Sequence, residues 1–153
     1  MGTEIERKFL VRGDAWRALG RAAVFRQGYL STVKERTVRI RVVGDQGWIT
    51  VKGLTVGATR AEFEYAIPVN DAQEMLELCA QPLIEKTRTV VDLGDLQWEI
   101  DEFTGPNEGL IVAEVELQRG DQEIDLPDWV GDEVTDDPRY YNANLTAHPF
   151  STW

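Results

Sequence analysis

The sequence predicts a mainly β protein of the α+β kind, a closed eight-stranded antiparallel barrel with a few flanking helices. Three observations carry that expectation. Alternation of apolar and polar residues with period two recurs along most of the chain, the spacing at which a strand turns one face to each side. Clusters such as Gly44-Asp45-Gln46-Gly47, Gly94-Asp95 and Thr104-Gly105-Pro106-Asn107 punctuate these runs, so hairpins and an antiparallel sheet are expected. The polar positions are nearly all ionised and are sorted by sign within each run. A solvated sheet face simply alternates apolar with mixed polar residues. A closed sheet with its charged face inward explains the sorting, and eight strands leave a bore for one small ligand.

The first strand is expected over Thr3–Val11, where Glu4, Glu6 and Lys8 alternate with Ile5, Arg7 and Phe9. Residues 14–19 can form a short helix with Asp14 as its cap. A less regular strand covers 25–30, and cleaner ones cover 38–42, 49–52 and 62–65. Asp71-Ala72-Gln73-Glu74 has the form of a capping box and opens an amphipathic helix through Met75, Leu76 and Leu78 to Cys79. Strands follow at 86–89, 98–103 and 113–117. Pro127 and the acidic stretch 131–137 read as a loop. Asp137-Pro138 then offers a cap and a first-turn proline for a last helix over 140–145. Through Arg139 and Tyr140 that helix either plugs one end of the barrel or lies on its surface. No repeat, low-complexity tract or linker divides the 153 residues, so residues 1–153 are expected to form one domain.

Composition removes several classes of function. A net charge of −11 repels nucleic acid and anionic membranes, so neither is expected as a partner. Apolar residues at 42 % are enough for a core and exclude global disorder. The single cysteine, Cys79, permits no internal disulfide, and with the single histidine, His148, it leaves no zinc cluster and little room for a Ser-His-Asp system. Cys79 reads as core packing and His148 as exposed. No apolar run is long enough to span a membrane, and the charged N-terminus does not read as a secretory leader, so a cytoplasmic location is expected.

The charged faces carry the chemistry. Residues two apart on a strand lie roughly 6.5 Å apart on one side, so Glu4/Glu6, Glu62/Glu64 and Glu114/Glu116 each present paired carboxylates, and Asp101 follows Glu99 in the same way. Such pairs repel unless a cation or basic neighbours offset them. Arg39/Arg41 and Lys86/Arg88 are matched basic pairs, joined by Lys8 and Lys52. With Glu99 left aside, these positions hold seven acids against six bases, so they do not hold phosphate strongly unaided. Two divalent cations reverse the balance, and hard oxygen ligands favour Mg²⁺ or Mn²⁺. An inorganic triphosphate then fits as the counter-charge, in the arrangement of metal-assisted phosphoryl transfer.

Glu4-Ile5-Glu6-Arg7-Lys8-Phe9 resembles the Glu-x-Glu-x-Lys signature of the CYTH domains, also called triphosphate tunnel metalloenzymes. The family's other charged elements follow in order as Arg39-x-Arg41, Lys52, Glu62-x-Glu64, Lys86-x-Arg88, Asp101 and Glu114-x-Glu116. The run from Glu133 through Asp137, Arg139, Tyr140 and Asn142 is similar to the small bacterial members. The resemblance spans Glu4 to about Leu145 and implies an eight-stranded tunnel that hydrolyses or cyclises triphosphates with divalent metal. It implies that Arg39, Arg41, Lys52, Lys86 and Arg88 bind the phosphate chain, the arginines through their planar fork. Asp101, Glu114 and Glu116 resemble the site of a metal bridging the phosphates, and Glu4 and Glu6 that of a second metal and its water. Lys8 is implied against the phosphates, near the leaving oxygen. Glu62 and Glu64 are implied as acids behind the ligands, and Tyr29 as a hydroxyl that orients water or phosphate, or else as a packed strand tyrosine. The expected reaction is hydrolysis of tripolyphosphate to pyrophosphate and phosphate, because no segment supplies an evident base pocket. Adenylyl cyclase, thiamine or nucleoside triphosphatase and a non-catalytic triphosphate-binding module stay open, as does an acidic interaction domain with its charged faces in solvent. A homodimer is also left open.

Overall fold

The computed structural model describes residues 3–153; Met1 and Gly2, the first residues of the N-terminus read as lacking a leader, lie outside the described residues. Eight strands alternate down the chain: β1 (Thr3–Val11), β2 (Arg21–Ser31), β3 (Thr37–Val43), β4 (Gln46–Lys52), β5 (Thr59–Ile67), β6 (Ile84–Leu93), β7 (Leu96–Phe103) and β8 (Ile111–Glu116). They pair in the order β5-β4-β3-β2-β6-β7-β8-β1, and β1 pairs back onto β5. Closure rests on three register pairs, Thr3 with Ala61, Glu4 with Arg60 and Ile5 with Thr59. All pairings are antiparallel, so the predicted eight-stranded barrel forms.

The apolar faces of the strands point outward and are covered piecewise. Phe9, Trp98, Ile100 and Val115 form one outer cluster with Trp16 and Trp129, with the Trp98 and Trp129 rings edge to face at 5.4 Å. Fully burying a side chain such as Phe9 or Ile100 stabilises by about 1.5–3 kcal/mol. The helix α1 (Val69–Leu78) covers a second patch, burying Ala72, Leu76 and Cys79 against Ile40 and Val42. It lies directly on the sheet backbone. A Cβ at Gly28 would meet the Cys79 Cβ at 2.7 Å, and one at Gly47 the Ala72 Cβ at 2.7 Å, so side chains there would lift the helix. Cys79 is thus packing, as read from the sequence, and His148 is exposed.

Several local readings are corrected. Residues 130–133 are not loop: β9 (Val130–Glu133) adds to β1 outside the ring. Its signal was hidden because only Val130 is buried, while Glu133 is held at the surface by Arg7 at 2.7 Å. The helix α1 begins before Asp71, with Pro68 at its cap and no side-chain capping bond, so the Asp71 box is displaced into the first turn. Asp14 makes no capping bond either, and the element after it is a 3-10 turn over Ala15–Leu19 anchored by buried Trp16. The last helix is split. Asp137 accepts from the Arg139 N–H at the head of a 3-10 turn over Pro138–Tyr140, extended backbone follows at Tyr141, and α2 (Asn142–Ala147) comes after it.

That C-terminal segment plugs one end of the barrel. Ile84, Phe103 and Val112 lie on the same strand faces as Lys86, Asp101 and Glu114, and they pack with Tyr140 and the fully buried Leu145. Arg139 stays outside, paired with Asp137 at 2.8 Å. Among the described residues no helix is long and apolar enough to cross a membrane.

Candidate active site

Barrel closure brings the period-two charges together in register. Lys8 stands opposite Glu114 and Glu6 opposite Glu116. Tyr29 faces Arg39 across β2 and β3, and Gln27 faces Arg41. Lys52 is opposite Glu62, Thr50 opposite Glu64, Arg88 opposite Asp101, and Glu99 opposite Glu114. The interior cavity is lined by Glu4, Glu6, Lys8, Tyr29, Arg39, Arg41, Lys52, Lys86, Arg88 and Glu114. The carboxylates lie on β1 and β8, with Lys8 and Lys52 set among them, while Arg39, Arg41, Lys86 and Arg88 on β3 and β6 form a basic side.

The other four residues expected at the site stand differently. Asp101 is fully buried behind the cavity wall, where its two oxygens take Lys86 at 2.8 Å and Arg88 at 2.8 and 2.9 Å. Glu62 holds Lys52 at 3.3 Å. Glu64 holds Arg39 at 3.3 Å and accepts from the Thr50 hydroxyl at 2.9 Å. Glu116 is exposed. As folded, Asp101, Glu62 and Glu64 fix cations that point into the cavity. The sequence pattern does not distinguish a residue that lines a bore from one that braces it.

Burial and charge set the protonation states. Burial works against the charge of Glu114, but Lys8, Arg88 and Lys86 hold its pKa at about 2. Burial likewise opposes the Lys8 charge, and Glu114 and Glu6 outweigh it, holding that pKa above the ordinary value. On the basic side burial also opposes the charge of Arg88, but Asp101 and Glu99 outweigh it and hold that pKa well above the ordinary value, whereas at two other cations burial wins. It lowers Lys86 to about 7, helped by Arg88 and Arg41 against the pull of Asp101. It lowers Arg41 to about 9, helped by Arg39 and Arg88. These two cations are the ones an incoming anion would most relieve.

The carboxylates suit a divalent cation by donor type. Glu4 is drawn to Lys52 at 3.0 Å and Glu114 to Lys8 at 3.5 Å. Glu6 has no ion-pair partner among the described residues, and burial together with Glu114 and Glu4 pushes its pKa well above the usual carboxylate range. Three hard-oxygen groups therefore share one space and repel, as ligands do before a cation arrives. Among the described residues, no group of three acids, histidines or cysteines is already converged in ligating geometry.

A stability prediction follows from Glu6. A raised carboxyl pKa contributes stability that is present below the ordinary value and lost as pH rises through the raised one. In metal-free protein, Glu6→Gln should therefore raise Tm at neutral pH and flatten its decline from mildly acidic to neutral pH. Differential scanning calorimetry with chelator checks this, and an unchanged or lowered Tm at pH 7.5 would count against the repulsion.

The CYTH domain model matches residues 2–144. The chain belongs to the CYTH family. It is 49 % identical over 154 residues to the inorganic triphosphatase of Acetivibrio thermocellus, covering 100 % of this chain and 99 % of that one. It is 38 % identical over 147 residues to the inorganic triphosphatase of Nitrosomonas europaea, covering 94 % and 96 %. A crystal structure of the inorganic triphosphatase NE1496 superposes with a TM-score of 0.64 at 33 % identity, covering 93 % of this chain and 96 % of that chain. Within the CYTH barrel, sequence reasoning missed Arg60, Gln27 and Asn142. Arg60 lines the cavity and ties Thr37 to the Gly53 carbonyl at 3.0 and 2.7 Å. Extending the period two residues back from Glu62 finds it. Gln27 precedes Tyr29 by the same step, but a neutral residue carries no sign to sort. Asn142 comes from α2, and no pattern in the chain places it beside Lys86.

Proposed function

We propose that this chain is a metal-dependent inorganic triphosphatase, cleaving tripolyphosphate to pyrophosphate and phosphate in its tunnel. The observation that carries the reading is a pair of arginines, Arg39 buried and Arg41 partly buried, with donors left open on the cavity side. Arg41 has no carboxylate within ion-pair distance among the described residues, and the buried Arg39 Nε has no hydrogen-bond partner. Buried donors are seldom left so unless something else satisfies them. The family and its named relatives point to the same substrate.

In this reading Arg39, Arg41, Lys52, Lys86 and Arg88 bind the phosphate oxygens, braced from behind by Asp101, Glu62 and Glu64. Lys8 lies against the chain near the leaving oxygen. Its ammonium is already pinned by Glu114 and by the Tyr140 carbonyl at 3.2 Å. Tyr29 presents its hydroxyl to water or phosphate. Glu4, Glu6 and Glu114 would hold Mg²⁺ or Mn²⁺, with Glu116 beside them, and the charge balance of the pocket accommodates two ions. Divalent metal supplies Lewis acidity toward the phosphate oxygens and toward water. Glu4 and Glu6, as metal-holding carboxylates on the cavity wall, would also be placed to orient a water toward the terminal phosphorus. The partner is a small anion rather than nucleic acid, and a cytoplasmic setting suits it.

Phosphate release from tripolyphosphate in Mg²⁺, Mn²⁺ and chelator tests this directly. Release with either metal and none with chelator is expected, and tight binding without release would make the chain a binding module instead. Arg41→Ala should weaken triphosphate binding by about 1.5–3 kcal/mol, the worth of a hydrogen bond to a charged group, visible in the KM. Arg39→Ala should do the same and also release Glu64.

A further inference from the structure

One uncharged side chain joins Arg41, which has no carboxylate within ion-pair distance among the described residues, to the plug and through it to Lys86. Gln27 on β2 is 0 % exposed and stands opposite Arg41 on β3 and Ile84 on β6. Its Oε1 accepts from Arg41 Nε at 2.9 Å. Its Nε2 donates to Asn142 Oδ1 at 3.2 Å, and Lys86 Nζ donates to that same oxygen at 3.0 Å. A chain of hydrogen bonds thus runs from Arg41 through Gln27 and the plug residue Asn142 to Lys86.

The chemistry of each link is specific. A guanidinium carries five N–H donors in a rigid fork. With Nε taken by Gln27 and one face of the group over the Phe25 ring at 4.7 Å, the orientation of the fork is set and its terminal nitrogens remain for an anion. A carboxylate at position 27 would also fix Nε, but it would neutralise Arg41 and compete with phosphate. An apolar side chain would leave Nε unpartnered in a buried site. A neutral acceptor orients the cation and leaves its charge available.

We propose that Gln27 is a positioning residue for the triphosphate, aiming Arg41 at the phosphate chain and tying that aim to the C-terminal plug through Asn142. This rests on the reading that Arg41 binds the phosphate chain. Gln27→Met keeps the length and removes both hydrogen bonds. It should raise KM for tripolyphosphate about 10-fold, at the low end for a hydrogen bond to a charged group, with kcat little changed. In a double-mutant cycle the pair Gln27→Met/Arg41→Ala should be no worse than Arg41→Ala alone, because the role passes through Arg41. Gln27→Glu should raise KM further, because the new carboxylate neutralises Arg41 and competes with phosphate. If Gln27→Met raises KM equally in the Arg41→Ala background, Gln27 acts by packing alone and the proposal fails. If Arg41→Ala itself leaves KM unchanged, it is the assignment of Arg41 that fails. Should Gln27→Met not fold, Gln27→Leu, which also removes both hydrogen bonds without adding charge, carries the same cycle, and full additivity there overturns the proposal equally.

Discussion

Glu114→Gln is expected to lower kcat for tripolyphosphate by more than about 100-fold at fixed, limiting Mg²⁺. Removing a group one step behind a metal ligand typically costs about 10–100-fold, and Glu114 would be a ligand itself. Its carboxyl is buried on the cavity wall and fully ionised at neutral pH, since Lys8, Arg88 and Lys86 overcome burial and hold its pKa at about 2. The substitution keeps the volume and deletes the charge. Two readouts separate a metal role from the pairing with Lys8. Metal binding predicts that part of the loss returns as Mg²⁺ is raised, whereas a defect acting only through Lys8 is indifferent to metal. The second readout is stability. A depressed carboxyl pKa contributes stability that is present above the ordinary value and is lost as pH falls toward the depressed one. Glu114→Gln should therefore lower the metal-free Tm at neutral pH, opposite in sign to Glu6→Gln. A kcat within about threefold of wild type at limiting Mg²⁺ would remove Glu114 from the metal site, judged against the ligand cost above.

That opposition in sign marks what spacing alone conveys and what it does not. Glu4/Glu6 and Glu114/Glu116 are equivalent as Glu-x-Glu pairs on alternating strands, and their pattern suffices to predict a closed sheet with a charged bore. The fate of each carboxylate depends on its cross-strand partner. Glu114 meets Lys8, Glu6 meets Glu116, and Lys52 lies between Glu4 and Glu62. Register is a tertiary property, and it also decides that Asp101 braces Lys86 and Arg88 from behind. The plug was legible only as a helix of undecided position. Asn142 reaches Lys86 across 56 residues of chain, and an asparagine at a helix start ordinarily reads as a local cap. The strand β9 escaped for the reverse reason. Its acidic residues face solvent, so a strand of four residues left no periodic mark.

The choice of substrate gives the second large effect. At saturating Mg²⁺ and neutral to alkaline pH, kcat/KM for tripolyphosphate should exceed that for ATP by about 10- to 150-fold. The figure is the about 1.5–3 kcal/mol worth of one charge-assisted hydrogen bond, converted at tenfold per 1.4 kcal/mol. Both substrates can place a terminal phosphate at the carboxylate wall. At the far end of the chain, tripolyphosphate offers a second terminal phosphate, while ATP offers an ester with one oxygen fewer for the basic residues. The α2 plug closes one end of the barrel, so adenosine would have to leave by the other, past Lys34 and Arg60. Arg60, whose plane is the kind that stacks on a base, is tied to the Gly53 carbonyl and the Thr37 hydroxyl, so no built base pocket among the described residues offsets the lost contact. Pyrophosphate should accumulate, because a two-phosphate chain cannot engage the arginines of β3, the cations of β6 and the carboxylate wall together. Phosphate release from tripolyphosphate, ATP and pyrophosphate, with chromatography of the nucleotide products, measures all of this in one panel. Cyclic AMP formed faster than tripolyphosphate is cleaved would make the protein a cyclase. Equal kcat/KM for ATP and tripolyphosphate would mean that the far end of the tunnel does not distinguish a terminal phosphate from an ester.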